Sequence, residues 1–141
     1  VVCRRQRQMC IRDRSYVSPI EAGLTWSIPK ERIKDGGFIG YEPIKKDIEN
    51  GVERKLVGIR PLSKIPAREG TQIFDKHEKK IGEITSGGYS PTLQSPIAMG
   101  YITSDILKSN CEVLLNVRGN LIPAEITSLP FVEHRYFRGN K

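Results

Sequence analysis

Apolar residues recur with a period of two through most of the chain after residue 53, and with a helical period only before it. Alternating runs lie at Lys55–Arg60, Thr71–Asp75, Lys80–Thr85, Ile97–Thr103, Glu112–Arg118 and Leu121–Ser128, divided by Gly- and Pro-bearing turns. Short strands at intervals of roughly 10–15 residues are the pattern of an all-β sandwich or barrel. Gly119-Asn120 accepts positive φ and predicts a two-residue turn between the last two runs. Folding there pairs Val117 with Ile122, Leu115 with Ala124 and Val113 with Ile126, and puts Glu112, Asn116 and Arg118 on the other face. Pro123 has no N–H to give a ladder, which predicts an edge or a bulge. The expected core is Leu56, Ile73, Ile84, Ile97, Val113, Leu115, Val117 and Ile126.

Residues 16–50 carry a mixed pattern. Ser18-Pro19-Ile20-Glu21 opens a helical turn, with Ser as N-cap and Pro at the first position, and Gly23 ends it. Leu24-Thr25-Trp26-Ser27-Ile28 alternates and predicts a strand ended by Pro29. Gly36-Gly37 punctuates a loop. Tyr41 to Glu49, with Ile44 and Ile48 four apart, predicts a short amphipathic helix closed by Asn50-Gly51. This stretch is too short to bury its own strand and helix, so it reads as the edge of a larger domain.

Composition narrows the class. The chain has 141 residues, 38% hydrophobic and 28% charged, with 13 Gly and 9 Pro. That suits a loop-rich globular fold, and no apolar run approaches the roughly 18–20 residues of a membrane-spanning helix. Three cysteines (Cys3, Cys10 and Cys111) show no paired metal spacing and point to a reducing compartment. Five arginines against Asp13 give residues 1–14 +4 of the total charge of +7, leaving +3 on the other 127 residues. Without interleaved aromatics this arm predicts no nucleic-acid partner. Its break in composition at Ser15 marks it as flanking sequence outside the native protein, and it lacks the apolar centre of a secretory signal.

Catalytic chemistry is not written in these residues. His77 sits in a polar hairpin tip, and His134 has no ligand-spaced companion. No phosphate loop, nucleophile elbow or zinc helix occurs. One segment, Ile84-Thr85-Ser86-Gly87-Gly88-Tyr89-Ser90-Pro91-Thr92-Leu93, crowds backbone N–H groups and hydroxyls into what reads as a tight corner. Such a corner serves either as a ligand contact or as an ordinary strand-to-strand connection.

Thr85 to Leu93, followed by Ile97-Ala98-Met99-Gly100-Tyr101-Ile102, resembles the C-terminal signature of the glycine cleavage system T-protein, a tetrahydrofolate-dependent aminomethyltransferase. Pro19 to Trp26, Phe38-Ile39-Gly40, Lys55 to Ile59, Arg68-Glu69-Gly70 and Pro130-Phe131-Val132 resemble the family's other motifs in the family's order. The resemblance implies a mainly β fold, a C-terminal antiparallel Greek-key-like β-barrel over 53–141, preceded at 15–52 by the truncated end of an α+β folate-binding domain. It implies a reaction that moves the aminomethyl group from the lipoyl arm of H-protein to tetrahydrofolate and releases ammonia. The family's catalytic aspartate lies upstream, so the chain is a C-terminal fragment, inactive alone, with no catalytic residue and no metal. Tyr136 is the one residue carried over as a substrate contact; Arg135 and Arg138 beside it suit the folate carboxylates. Implied partners are lipoylated H-protein and tetrahydrofolate, with neither membrane nor nucleic acid, in the bacterial cytoplasm or the mitochondrial matrix. The same barrel would serve the folate module of a dimethylglycine or sarcosine dehydrogenase or a folate-dependent demethylase. From another class, a stand-alone interaction or RNA-binding barrel is the remaining alternative.

Overall fold

A computed structural model describes residues 17–107 and 112–133. The chain divides into two compact units, with the boundary between Val52 and Glu53.

The first unit is helical. The Ser18 hydroxyl accepts the Glu21 N–H at 3.2 Å, and the Glu21 carboxylate accepts the Ser18 N–H at 3.0 Å. This reciprocal capping box satisfies two N-terminal donors at once. The strand expected at Leu24–Ile28 is instead a 3₁₀ turn at Thr25–Ser27. Its alternation meets no neighbouring strand, so nothing selects the extended form, and the Ser27 hydroxyl donates to the Leu24 carbonyl at 2.7 Å to tighten the turn. Helix α1, Lys30–Asp35, follows Pro29 and was not anticipated. Helix α2, Tyr41–Asn50, matches the expected helix and ends at Gly51 with φ +80°. Phe38 meets Tyr41 edge to face at 5.5 Å between ring centres. No residue from 17 to 52 is fully buried.

The second unit is a closed antiparallel barrel. Its strands are β1 (Arg54–Pro61), β2 (Gln72–Phe74), β3 (Lys80–Ser90), β4 (Ser95–Thr103), β5 (Val113–Val117) and β6 (Asn120–Thr127), in the order β1-β4-β3-β2-β5-β6. All six expected strands are present. Closure removes free outer strands and lets every strand bury one face. Ile59, Ile73, Ile84, Ile102, Val113 and Leu115 fill the interior with essentially no exposed surface. The short helix α3, Ser104–Leu107, lays Ile106 and Leu107 against this core.

Two expected core residues belong elsewhere: Leu56 and Ile97 face outward and are half-buried, whereas Ile126 is half-buried on the inward face and packs against the core. On β1 the inward set is Val57, Ile59 and Pro61, which turns Leu56 outward. The β5–β6 register also differs from expectation. The turn is Arg118-Gly119, with φ +55° and +85°, and Val117 pairs with Asn120, Leu115 with Ile122 and Val113 with Ala124. Both central residues take positive φ, as a type I′ turn requires, and the Asn116 side chain accepts the Gly119 N–H at 3.0 Å. The register is therefore displaced by two residues. A displacement of two keeps every side chain on its face, so the face assignment holds although the partners change. No bulge forms at Pro123. It opposes Leu114 in a non-hydrogen-bonding position, and its carbonyl accepts the Leu62 N–H at 3.0 Å.

The β2–β3 hairpin tip holds itself through Asp75. Its Oδ1 accepts the His77 N–H at 2.8 Å and the Lys79 N–H at 2.9 Å. His77 is exposed in this turn, as its polar setting implied.

Candidate functional site

A groove on the barrel's outer surface lies on the β3–β4 hairpin. Strand β3 carries one extra residue between the pairs Ile84↔Gly100 and Ser86↔Met99. That residue is Thr85, whose hydroxyl donates to the Met99 carbonyl at 3.1 Å and fixes the bulge. The bulge resets the alternation. Ile84 faces the core before it; Gly87 faces inward after it, where a Cβ would run into the Ala67 carbonyl. Ser86 and Gly88 consequently face out.

The double glycine thus lies inside a strand rather than at a corner. The reversal comes later, at Pro91–Gln94, where the Ser90 hydroxyl accepts the Leu93 N–H at 3.3 Å and Gln94 takes φ +51°. Strand β3 continues past the expected Thr85 because β4 supplies partners as far as Ser90↔Ser95.

A groove of about 400 Å³ runs over this outer face. Ser86, Gly88, Tyr89, Ile97, Met99 and Phe131 are among the residues that line it. Phe131 is held by Gly58, where a Cβ would stand 3.0 Å from its ring and 2.9 Å from the Thr127 carbonyl. Glycine at 58 leaves room for the ring to approach the barrel this closely. Lined by thioether, aromatic and aliphatic groups plus the hydroxyls of Ser86 and Tyr89, the groove suits packing more than proton transfer. Among the described residues no three His, Cys, Asp or Glu side chains gather to hold a metal, and no helix is long and apolar enough to cross a membrane.

The substrate contacts expected at Tyr136, Arg135 and Arg138 lie outside the described residues, as do His134 and Cys111. The sequence marks Ile84–Leu93 as either a ligand contact or a connection, but not its union with Ile97, Met99 and Phe131 in one groove. Only the bulge shows that they share one face.

Residues 54–133 match the family described as the glycine cleavage T-protein C-terminal barrel domain. The chain belongs to this family. The mitochondrial aminomethyltransferase of Mesembryanthemum crystallinum is 43% identical over 123 residues, 87% of this chain and 30% of that protein. The aminomethyltransferase of Prochlorococcus marinus is 43% identical over 114 residues, 81% of this chain and 30% of that protein. The crystal structure of the glycine cleavage system aminomethyltransferase T from Bartonella henselae superposes with a TM-score of 0.82 at 37% identity. That match covers 87% of this chain and 34% of the Bartonella protein. The chain spans about a third of the length of these relatives.

Proposed function

We propose that this chain is the terminal part of an aminomethyltransferase that moves the aminomethyl group from the lipoyl arm of H-protein to tetrahydrofolate, releasing ammonia and yielding methylenetetrahydrofolate. The 37% identity to the Bartonella henselae aminomethyltransferase across a superposed fold carries this reading. On it, residues 53–141 form the barrel with its tail, 15–52 end the folate-binding domain, and 1–14 are flanking sequence. Tetrahydrofolate is the acceptor substrate, and no resident metal takes part.

The chain alone is proposed to be inactive. Transfer requires the folate nitrogen, the lipoyl-bound carbon and an acid–base group held together. Of the carboxylates nearest to suitable motifs, Glu21 is committed to capping the Ser18 N–H, and Glu133 is exposed. The groove supplies no carboxylate. Tyr136, with Arg135 and Arg138 beside it, is the proposed contribution of this chain to the folate pocket.

The direct test joins this chain to the upstream two-thirds of the Bartonella relative and follows ammonia release from aminomethyl-loaded, lipoylated H-protein with tetrahydrofolate. Activity in the joined protein and none in the chain alone is the expected result. Comparable turnover by the chain alone would overturn the assignment of catalysis to upstream residues. In the joined protein Tyr136→Ala is expected to raise the folate KM, with Tyr136→Phe intermediate; unchanged KM in both removes the tail from the pocket.

A further inference from the structure

Asn50-Gly51 is the only Asn-Gly pair in the chain, and it stands at the end of α2, beside the boundary between the two units at Val52 and Glu53. The two residues carry groups that react with each other. A bond from the Gly51 nitrogen to the Asn50 side-chain amide carbon closes a five-membered ring. Proximity of this kind makes the reaction intramolecular, and the residue after the asparagine decides whether the ring can close. Glycine is the most permissive, because no Cβ obstructs the approach and its backbone turns freely.

A second pair of the same shape, Asp35-Gly36, ends α1 and shows how the fold can prevent such closure. The Gly36 N–H donates to the Arg32 carbonyl at 3.0 Å, and a Cβ on Gly36 would stand 2.9 Å from the Tyr41 ring. Its nitrogen is occupied and its surroundings are full. Gly51 differs on both counts. Its N–H makes no hydrogen bond among the described residues, and a Cβ there would meet nothing within 4 Å. Asn50 and Gly51 are both exposed, and the Asn50 side-chain amide has no partner among the described residues. Asn50 is also the last residue of its helix, where the backbone dihedrals are held least. The other described asparagines lack these conditions. Asn116 accepts the Gly119 N–H at 3.0 Å and precedes Val117, and Asn120 opens β6 ahead of Leu121.

We propose that Asn50-Gly51 is a self-modifying site that ages the junction between the two units by deamidation. The Gly51 nitrogen attacks the Asn50 side-chain carbon. A new C–N bond forms as the bond to the side-chain nitrogen breaks, and that nitrogen leaves as ammonia with the Gly51 proton. Water then opens the resulting cyclic imide. Addition at the side-chain carbonyl leaves aspartate; addition at the main-chain carbonyl leaves isoaspartate, with the chain routed through the side-chain methylene. Either product puts a carboxylate at the C-terminal end of α2, whose last turn already holds Asp47 and Glu49 and no basic residue. Negative charge at that end opposes the helix dipole, so conversion loosens the last turn.

The test incubates the 141-residue chain in mildly alkaline buffer and follows each asparagine by peptide mass, with isoaspartate counted by enzymatic carboxyl methylation. Conversion at Asn50 is expected to outpace that at Asn116 and Asn120 by about tenfold or more. It is expected to give more isoaspartate than aspartate, and to slow in neutral buffer, where less of the attacking nitrogen is deprotonated. Asn50→Gln is expected to abolish it, since the longer side chain closes only a slower six-membered ring. Amide exchange across residues 47–50 is expected to quicken as the parent ages and to hold steady in Asn50→Gln. Asp35 is expected to keep its ordinary linkage in the folded chain and to isomerise once denaturant frees the Gly36 N–H. Retention of the Asn50 amide, or conversion no faster than at Asn116, overturns the site. Conversion with unchanged exchange overturns the effect on α2. Isomerisation of Asp35 as fast in the folded chain as in denaturant overturns the hydrogen bond as what separates the two pairs.

Discussion

The two units spend their apolar residues in opposite ways. In the barrel, thirteen apolar side chains from Val57 to Ala124 form one buried cluster. Between residues 17 and 52 none is fully buried; Trp26 is 82% exposed and Ile39 completely so. Both units have well-formed local structure, including a capping box and an edge-to-face aromatic pair in the first. Local hydrogen bonds therefore suffice to shape a segment but not to give it a core. Burial follows closure, because only the barrel offers each strand an interior to face.

The widest separation between the units is expected from truncation. Leu115→Ala, at a site with no exposure, should cost about 2–5 kcal/mol in chemical denaturation, while Trp26→Ala should fall within about 0.5 kcal/mol. Comparable costs would erase the contrast. Next comes backbone approach within the barrel. Gly82→Ala drives a methyl into the Tyr101 carbonyl and should destabilise by roughly 1–3 kcal/mol, whereas Gly88→Ala, with open space, should not. The reciprocal Ser18–Glu21 hydrogen bonds give the first unit its own measurable term: Ser18→Ala should lose about 0.5–2 kcal/mol of local turn stability, read by amide exchange at Glu21 and Ala22.

The smallest expected effect is electrostatic and lies at the barrel's surface. The Asp75 carboxyl is held below its ordinary value of 3.8, chiefly by the hydrogen bond from the Lys79 N–H; partial burial opposes this, while the His77 N–H and the nearby positive charges add to it. A depressed folded-state value means that the ionised carboxylate stabilises the turn above its unfolded pKa. That contribution fades as pH falls through the folded value. Asp75→Asn should therefore narrow its stability gap to the parent only below about pH 4. A gap unchanged down to pH 2 would show that the carboxylate's charge plays no part.

Strand positions were legible because inward and outward residues alternate on every strand, and the six runs emerge with ends shifted by a few residues. The α2 helix was equally plain from Ile44, Ile48 and Gly51. Leu24–Ile28 misled because five alternating residues lack a meaning until another strand pairs with them. The groove stayed hidden for a related reason. Its two halves, Ser86–Tyr89 and Ile97–Met99, each carry a distinctive composition, but the Thr85 bulge decides which of their residues face out.

The sequence by itself determined six strands, their alternating faces, the family motifs and the uncharged stretch from Ile84 to Ser104. These are local properties: side-chain period, turn chemistry and residue type act over a few neighbours. Tertiary structure decided the β5–β6 partners, the outward turn of Leu56 and Ile97, the adjacency of Phe131 to Gly58 and the place of Gly87 against Ala67. Each of these depends on which backbone lies beside which, a matter settled only when the barrel closes. A turn displaced by one residue, or one extra residue in a strand, changes the partners while leaving the hydrophobic pattern almost the same.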